Sequence, residues 1–164
     1  QMCIRDRLTA LRQAALPSTP WWDEQGTRDV PHVNGDRLEI HVHLDVLDCT
    51  DGHLGIALRC SDDGHEQTLL YYDAVLQRLV LDRSRSGAQV TGQRSVAIDP
   101  TQGLLALRVF LDRSSIEVFD ENGRFSLSSR LYPQPGSLGV KLVASGSGGR
   151  VSISRAWSLA SGWL

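Results

Sequence analysis

The chain has 164 residues, of which 41% are hydrophobic and 22% charged, and its formal charge at pH 7 is -2. That is one domain's length, enough to bury a sizeable core, and so small a charge gives no electrostatic case for nucleic acid or an anionic membrane. No apolar run approaches the length that spans a bilayer, and no basic start followed by an apolar stretch marks a secretion signal, which leaves the compartment open.

Residues 1–7 (Gln-Met-Cys-Ile-Arg-Asp-Arg) have no clear period and read as a boundary remnant. Residues 8–15 favour a short helix, with Leu8, Leu11 and Ala15 on one face, and Pro17 and Pro20 stop it. The chain is therefore divided into a linker over residues 1–20 and a folded module over residues 21–164. From Arg37 onward the pattern is all β. In residues 38–46 every even position is apolar and every odd one polar, the period of a strand with one face in a core and one in water. Residues 54–60 follow the same rule, and Asp62-Asp63-Gly64 is a turn cluster. Further strands are expected over residues 68–72, 76–82, 95–98, 104–112, 115–120, 124–131, 137–144 and 151–159. Asn122-Gly123 is a hairpin signal, because both residues accept the positive φ of a type I′ turn. Gly146, Gly148 and Gly149 precede the last strand. Short strands at regular spacing with turn residues between them predict an antiparallel two-sheet β-sandwich of the concanavalin-like jelly-roll kind, with a barrel as the alternative.

The run 107–119 (Leu-Arg-Val-Phe-Leu-Asp-Arg-Ser-Ser-Ile-Glu-Val-Phe) reads as strand, sharp turn and strand. Pairing Leu111 with Ile116 and Val109 with Val118 buries apolar against apolar. Across the Asn122-Gly123 turn, Val118 then meets Leu127 and Ile116 meets Ser129, since a slip of one residue would turn the apolar set outward. This register puts Asp112, Ser115 and Arg130 in a row on the opposite face, with Glu117 and Ser128 in the next row and Phe110 beside them. Carboxylates, a guanidinium fork and an aromatic ring are what binds a sugar's hydroxyls and C–H face. Solvated sheet faces carry the same residue types as cross-strand ion pairs, for example Glu117 with Arg130 on the diagonal. The segment Leu81-Asp82-Arg83-Ser84-Arg85-Ser86-Gly87 echoes this turn. It reads either as a strand exit or as a basic loop, Arg83 and Arg85, that meets a partner domain or a ligand.

Other signals are weaker. His41 and His43 share a strand face, but no third metal ligand is evident, and no metal or cofactor is expected. Trp21-Trp22 is either a sugar platform or a plug over the sandwich edge, the plug being preferred. Three cysteines, Cys3, Cys49 and Cys60, make no disulfide framework, and Cys49 and Cys60 read as buried free thiols. Neither Asp62-Asp63 nor Asp112 with Glu117 offers two carboxyl groups flanking one bond in a shaped pocket, so no catalytic residue is assigned.

Several of these stretches together resemble the C-terminal module of glycoside hydrolase family 32, the enzymes that cleave fructose from sucrose, inulin and levan. They are Tyr71-Tyr72-Asp73, the run from Leu79 to Gly87, the run from Leu107 to Phe119, and Leu127-Ser128-Ser129-Arg130-Leu131-Tyr132-Pro133. Leu8-Thr9-Ala10-Leu11-Arg12 resembles the family's interdomain linker. A similar fold serves as carbohydrate-binding module family 66. In the family the nucleophile, a second aspartate and the acid/base glutamate lie in a separate five-bladed N-terminal β-propeller, and none of their motifs stands here. Arg28-Asp29-Val30 is a partial echo lying in a connector, and no role is carried to it. The resemblance implies a non-catalytic module, inactive alone, that packs on and stabilises the propeller. The alternative is an autonomous fructan-binding module whose contacts would be Asp112, Glu117, Arg130 and Ser115.

Overall fold

A computed structural model describes residues 10–87 and 91–161. It is built of twelve strands: β1 (Arg12–Leu16), β2 (Gly26–Asp29), β3 (Leu38–Asp45), β4 (His53–Cys60), β5 (Gln67–Asp73), β6 (Arg78–Arg85), β7 (Gln93–Ala97), β8 (Leu104–Asp112), β9 (Ser115–Asp120), β10 (Ser126–Arg130), β11 (Gly139–Ala144) and β12 (Arg150–Leu159). One six-stranded sheet, A, runs β1-β12-β3-β8-β9-β10, and the other, B, runs β2-β11-β4-β5-β6-β7. All strand pairs are antiparallel. The inward positions of both sheets make one core, with Ile40, Val42, Leu44, Leu107, Val109, Ile116 and Val118 from sheet A meeting Leu54, Ile56, Leu58, Leu70, Tyr72, Leu79 and Leu81 from sheet B. The antiparallel sandwich is therefore the fold that the strand periodicity requires.

The expected register holds: Leu111 pairs with Ile116, Val109 with Val118, Val118 with Leu127 and Ile116 with Ser129. The turn that sets it is different from expectation. Gly123 alone takes a positive φ, of 74°, and Asn122 does not. Asp120 and Phe125 close a longer loop by a backbone bond of 3.2 Å, and the Asp120 carboxylate accepts from the Arg124 amide and guanidinium. That buried carboxylate fixes the loop in place of a type I′ pair.

The expected helix over residues 8–15 is not formed. Leu8 and Thr9 lie outside the described residues, and Arg12–Leu16 is a strand on the edge of β12. A helix of two turns is marginal in water, whereas here β12 supplies a ladder and Glu39 a partner for Arg12. Residues 28–29, expected in a connector, belong to β2 on the edge of sheet B.

β3 also departs from the simple in–out pattern. Its outward residues Glu39 and His41 are buried. Arg12 clamps the Glu39 carboxylate with two bonds of 2.7 Å while its guanidinium lies 3.6 Å from the centroid of the Trp157 ring. Arg108 stands 3.3 Å from the same carboxylate, and His41 3.0 Å from it. Burial by itself would raise the Glu39 carboxyl. The hydrogen bonds from Arg12 and His41 and the charges of Arg12 and Arg108 outweigh it and hold the group at about 2.

A second clamp closes the end of the sandwich where Ala10 and Ser161 lie, here called the proximal end. Arg59 is buried and has a φ of 49°. Its guanidinium donates to three carbonyls: Ser137 at 2.6 Å, Arg113 at 2.7 Å and Gln134 at 3.1 Å. It thus ties sheet B to the β8–β9 turn and to the loop after β10.

Both clamps can be tested by unfolding. Glu39 is held below its unfolded value, so its contribution is complete above about pH 4.5 and drains as pH falls toward 2, by about 3 kcal/mol in all. Urea unfolding between pH 5 and pH 2 should therefore show a steeper loss for the native chain than for Glu39→Gln, and parallel curves would refute the clamp. Arg59→Met, which strands three carbonyls, should lower the unfolding free energy by about 3 kcal/mol in urea titration at pH 7.

Candidate functional site

The row anticipated on the outer face of sheet A is present. Asp112 pairs with Ser115 and Ser115 with Arg130, while Glu117 is flanked by Phe110 and Ser128. These strands end at the proximal end, and the corner they form opens into a depression of about 450 Å³. Asp112, Ser115, Glu117 and Arg130 all line it, together with Ser114, Ser128, Ser129 and Arg94.

Its charged groups are largely uncommitted. The Glu117–Arg130 pair does not form: among the described residues the side chains of Glu117 and Arg94 make no hydrogen bond or ion pair. Among the described residues the Asp112 carboxylate accepts only from the Arg113 amide, at 2.9 Å, and the Arg130 guanidinium reaches only the Ser114 hydroxyl, at 3.3 Å. The Ser129 hydroxyl is buried without a partner among the described residues. Two carboxylates, two guanidiniums and several hydroxyls facing one depression can bind a polyhydroxylated ligand through charge-assisted hydrogen bonds. Asp112 and Glu117 share one sheet face and so do not flank a bond from opposite sides, as glycoside hydrolysis requires.

Phe110, expected as the stacking ring, is buried and packs edge-on against Phe119 at 5.9 Å. It does not line the depression. The aromatic position on β8 is a packing position, where Phe110 is buried with the Phe119 ring of β9 against it.

The two loop arginines part company. Arg83 donates to the Arg130 carbonyl at 3.4 Å and to the Thr91 carbonyl at 3.1 Å, fastening β6 of sheet B to β10 of sheet A. Arg85 turns away to the Gly64 carbonyl at 2.9 Å. Burial works against the neighbouring Asp82 carboxylate, but hydrogen bonds from Ser84 and Gln93 hold it below its ordinary value. Arg94 escapes sequence reading. It stands on β7, a strand expected to begin only at residue 95, and only the order of the sheets brings it beside β10.

The remaining candidates resolve simply. His41 is enclosed by Glu39, Arg108 and Glu121, while His43 lies beside Trp21. Among the described residues no three His, Cys, Asp or Glu side chains could hold a metal ion together. Trp22 plugs the core, and Trp21 stays exposed under the Arg150 guanidinium. Cys49 and Cys60 are free and buried, and burial pushes the Cys60 thiol up to about 11. Cys3 lies outside the described residues.

Comparisons with known proteins agree with this architecture. Residues 7–158 match the family described as the glycosyl hydrolases family 32 C terminal. The chain is 43% identical over 110 residues to a sucrose-6-phosphate hydrolase of Zymomonas mobilis, a match covering 65% of this chain and 21% of that protein. It is 31% identical over 124 residues to a levanase of Bacillus subtilis, covering 72% of this chain and 18% of the levanase. Among solved structures, the exo-inulinase of Aspergillus awamori superposes with a TM-score of 0.76 at 24% identity, covering 95% of this chain and 31% of that one. The match thus spans about a fifth of the length of these curated relatives. With its sandwich architecture and a family match over nearly its whole length, the chain belongs to the C-terminal domain family of the family 32 glycosyl hydrolases.

Proposed function

We propose that this chain is the non-catalytic C-terminal module of a fructose-releasing hydrolase and that it packs on and stabilises an N-terminal catalytic β-propeller. The observation that carries the reading is the match itself: residues 7–158 match a family described as C-terminal, and the 65% and 72% of the chain aligned with the two relatives correspond to about a fifth of each. The uncommitted polar depression at Asp112, Ser115, Glu117 and Arg130 supports a second reading, in which the module also binds fructan or a terminal fructose.

A chimera tests the first reading. This chain replaces the corresponding region of the Zymomonas sucrose-6-phosphate hydrolase. Expected are retained hydrolysis and one cooperative thermal transition; independent melting of the grafted module would refute packing. Calorimetric titration of the isolated chain with levan tests the second. Binding should fall at least tenfold in Asp112→Ala, because a charge-assisted hydrogen bond is lost. No heat with levan, inulin or fructose would leave only the structural role.

A further inference from the structure

Sheet A ends at β10 and sheet B at β7, and both edge strands line the polar depression. The seam between these edges is cationic. Arg94 pairs with the core residue Leu81, so its side chain leaves β7 on the face turned toward sheet A. Arg130 ends β10, and Arg83 crosses from β6 to the Arg130 carbonyl at 3.4 Å. Among the described residues none of these three guanidiniums has a carboxylate within ion-pair distance. The Nε of Arg83 is buried without a hydrogen-bond partner among them. Like charges gathered along one seam repel, and an anion placed there relieves the repulsion.

Neutral donors open on the same seam. The Ser129 hydroxyl is buried and unpartnered among the described residues. The Leu131 amide donates to the Ser114 carbonyl at 2.9 Å, so the odd residues of β10 turn their backbone to β9 and the even ones turn it to the free edge. The Arg130 carbonyl accordingly meets Arg83 there, and the Ser128 amide faces the same way. The acceptors lie at the other end of the depression. Glu117 stands one strand inward, on β9, and Asp112 two strands inward, on β8, about 10 Å from Arg130 by strand spacing. The depression is therefore polarised, with cations and donors at the edge and carboxylates toward the middle of sheet A. A neutral sugar would engage the carboxylates and leave the guanidiniums uncompensated. A bare anion would meet the carboxylates with no hydroxyl to offer them. Two guanidinium forks, a hydroxyl and an amide suit the three terminal oxygens of a phosphate monoester better than the two of a carboxylate.

We propose that the depression is a site for a sugar phosphate, with the phosphate held at the β7–β10 seam by Arg94, Arg130 and Ser129 and the sugar hydroxyls held by Asp112 and Glu117. This rests on the sugar-binding reading given above and names the ligand that the site selects. Arg94 sets the specificity, because it brings a guanidinium from the other sheet to the free edge of β10. A phosphate bound there bridges β7 to β10, beside the bridge that Arg83 makes from β6.

Calorimetric titration of the isolated chain at pH 7.5 and low salt, with fructose 6-phosphate, fructose and inorganic phosphate, tests this. Fructose 6-phosphate should bind at least about tenfold tighter than either of the others. Its advantage over fructose should shrink several-fold at pH 5, where the phosphate has lost its second charge, which titrates near pH 6. The advantage should shrink likewise at high salt, which screens exposed charges. Excess fructose 6-phosphate should raise the thermal midpoint of the chain. Arg94→Gln, at an exposed edge position, should move the midpoint of the free chain by less than about 2 °C. It should weaken fructose 6-phosphate binding at least about tenfold and fructose binding less than about twofold. Equal affinity for fructose and fructose 6-phosphate overturns the inference and leaves a neutral-sugar site. Inorganic phosphate binding as tightly as the sugar phosphate overturns it as well, leaving a bare anion site. A phosphate preference that survives Arg94→Gln removes the phosphate from the seam and refutes the assignment. Binding of none of the three removes the sugar-binding reading itself.

Discussion

A single guanidinium closes the proximal end of this sandwich. Arg59 stands near the end of β4 with a left-handed backbone, at the point where the pairing of β4 with β11 slips, and its side chain reaches three carbonyls that no strand can satisfy. A buried, unpaired carbonyl costs about as much as a lost hydrogen bond. Without this donor the turn at Arg113 and the loop at 134–137 would have to open to water. Those two segments carry the ends of β8, β9 and β10, and so hold Asp112, Ser115 and Arg130. The polar depression is an outcome of the clamp: its walls stand where Arg59 pins their bases.

Sheet A shows how much of the molecule a period of two conveys. Leu107 to Asp112 and Ser115 to Asp120 can pair in one way without exposing a hydrophobic face, so their register and the site row are legible in the sequence. The same period misreads the other face of β3. Glu39 and His41 are polar and odd-numbered, and they are buried because Arg12, Arg108 and Trp157 converge on them from three other strands. No local pattern encodes that convergence. For the same reason β1 reads as helical: five residues say little about conformation when a distant strand and a distant carboxylate decide it.

The candidate site divides along similar lines. Residues brought together by hairpins can be named from sequence, as with Asp112, Ser115, Glu117 and Arg130. Arg94 cannot, because β7 belongs to the other sheet and meets β10 only through the stacking of the sheets. Arg83 stands out in sequence for its echo of the Asp-Arg-Ser turn, but its work is to tie β6 of sheet B to the edge strand β10 of sheet A. Phe110 is misplaced by the pattern because alternation locates the face a side chain points to and not what lies on top of it.

The strand order has a kinetic consequence. β12 lies between β1 and β3, so sheet A lacks its second member until residues 150–159 have been synthesised. Until then β1 has no ladder to join, and β3 offers one unpaired edge. In sheet B, β4, β5, β6 and β7 follow one another and can zip as hairpins during translation, and only β2 must wait for β11 to join them. Pairings of such long sequence separation form slowly. The sandwich should therefore assemble the β4–β7 meander of sheet B and the β8–β9–β10 meander first, and sheet A should complete only once β12 has been made, leaving the β3 edge as the surface that cellular chaperones would guard.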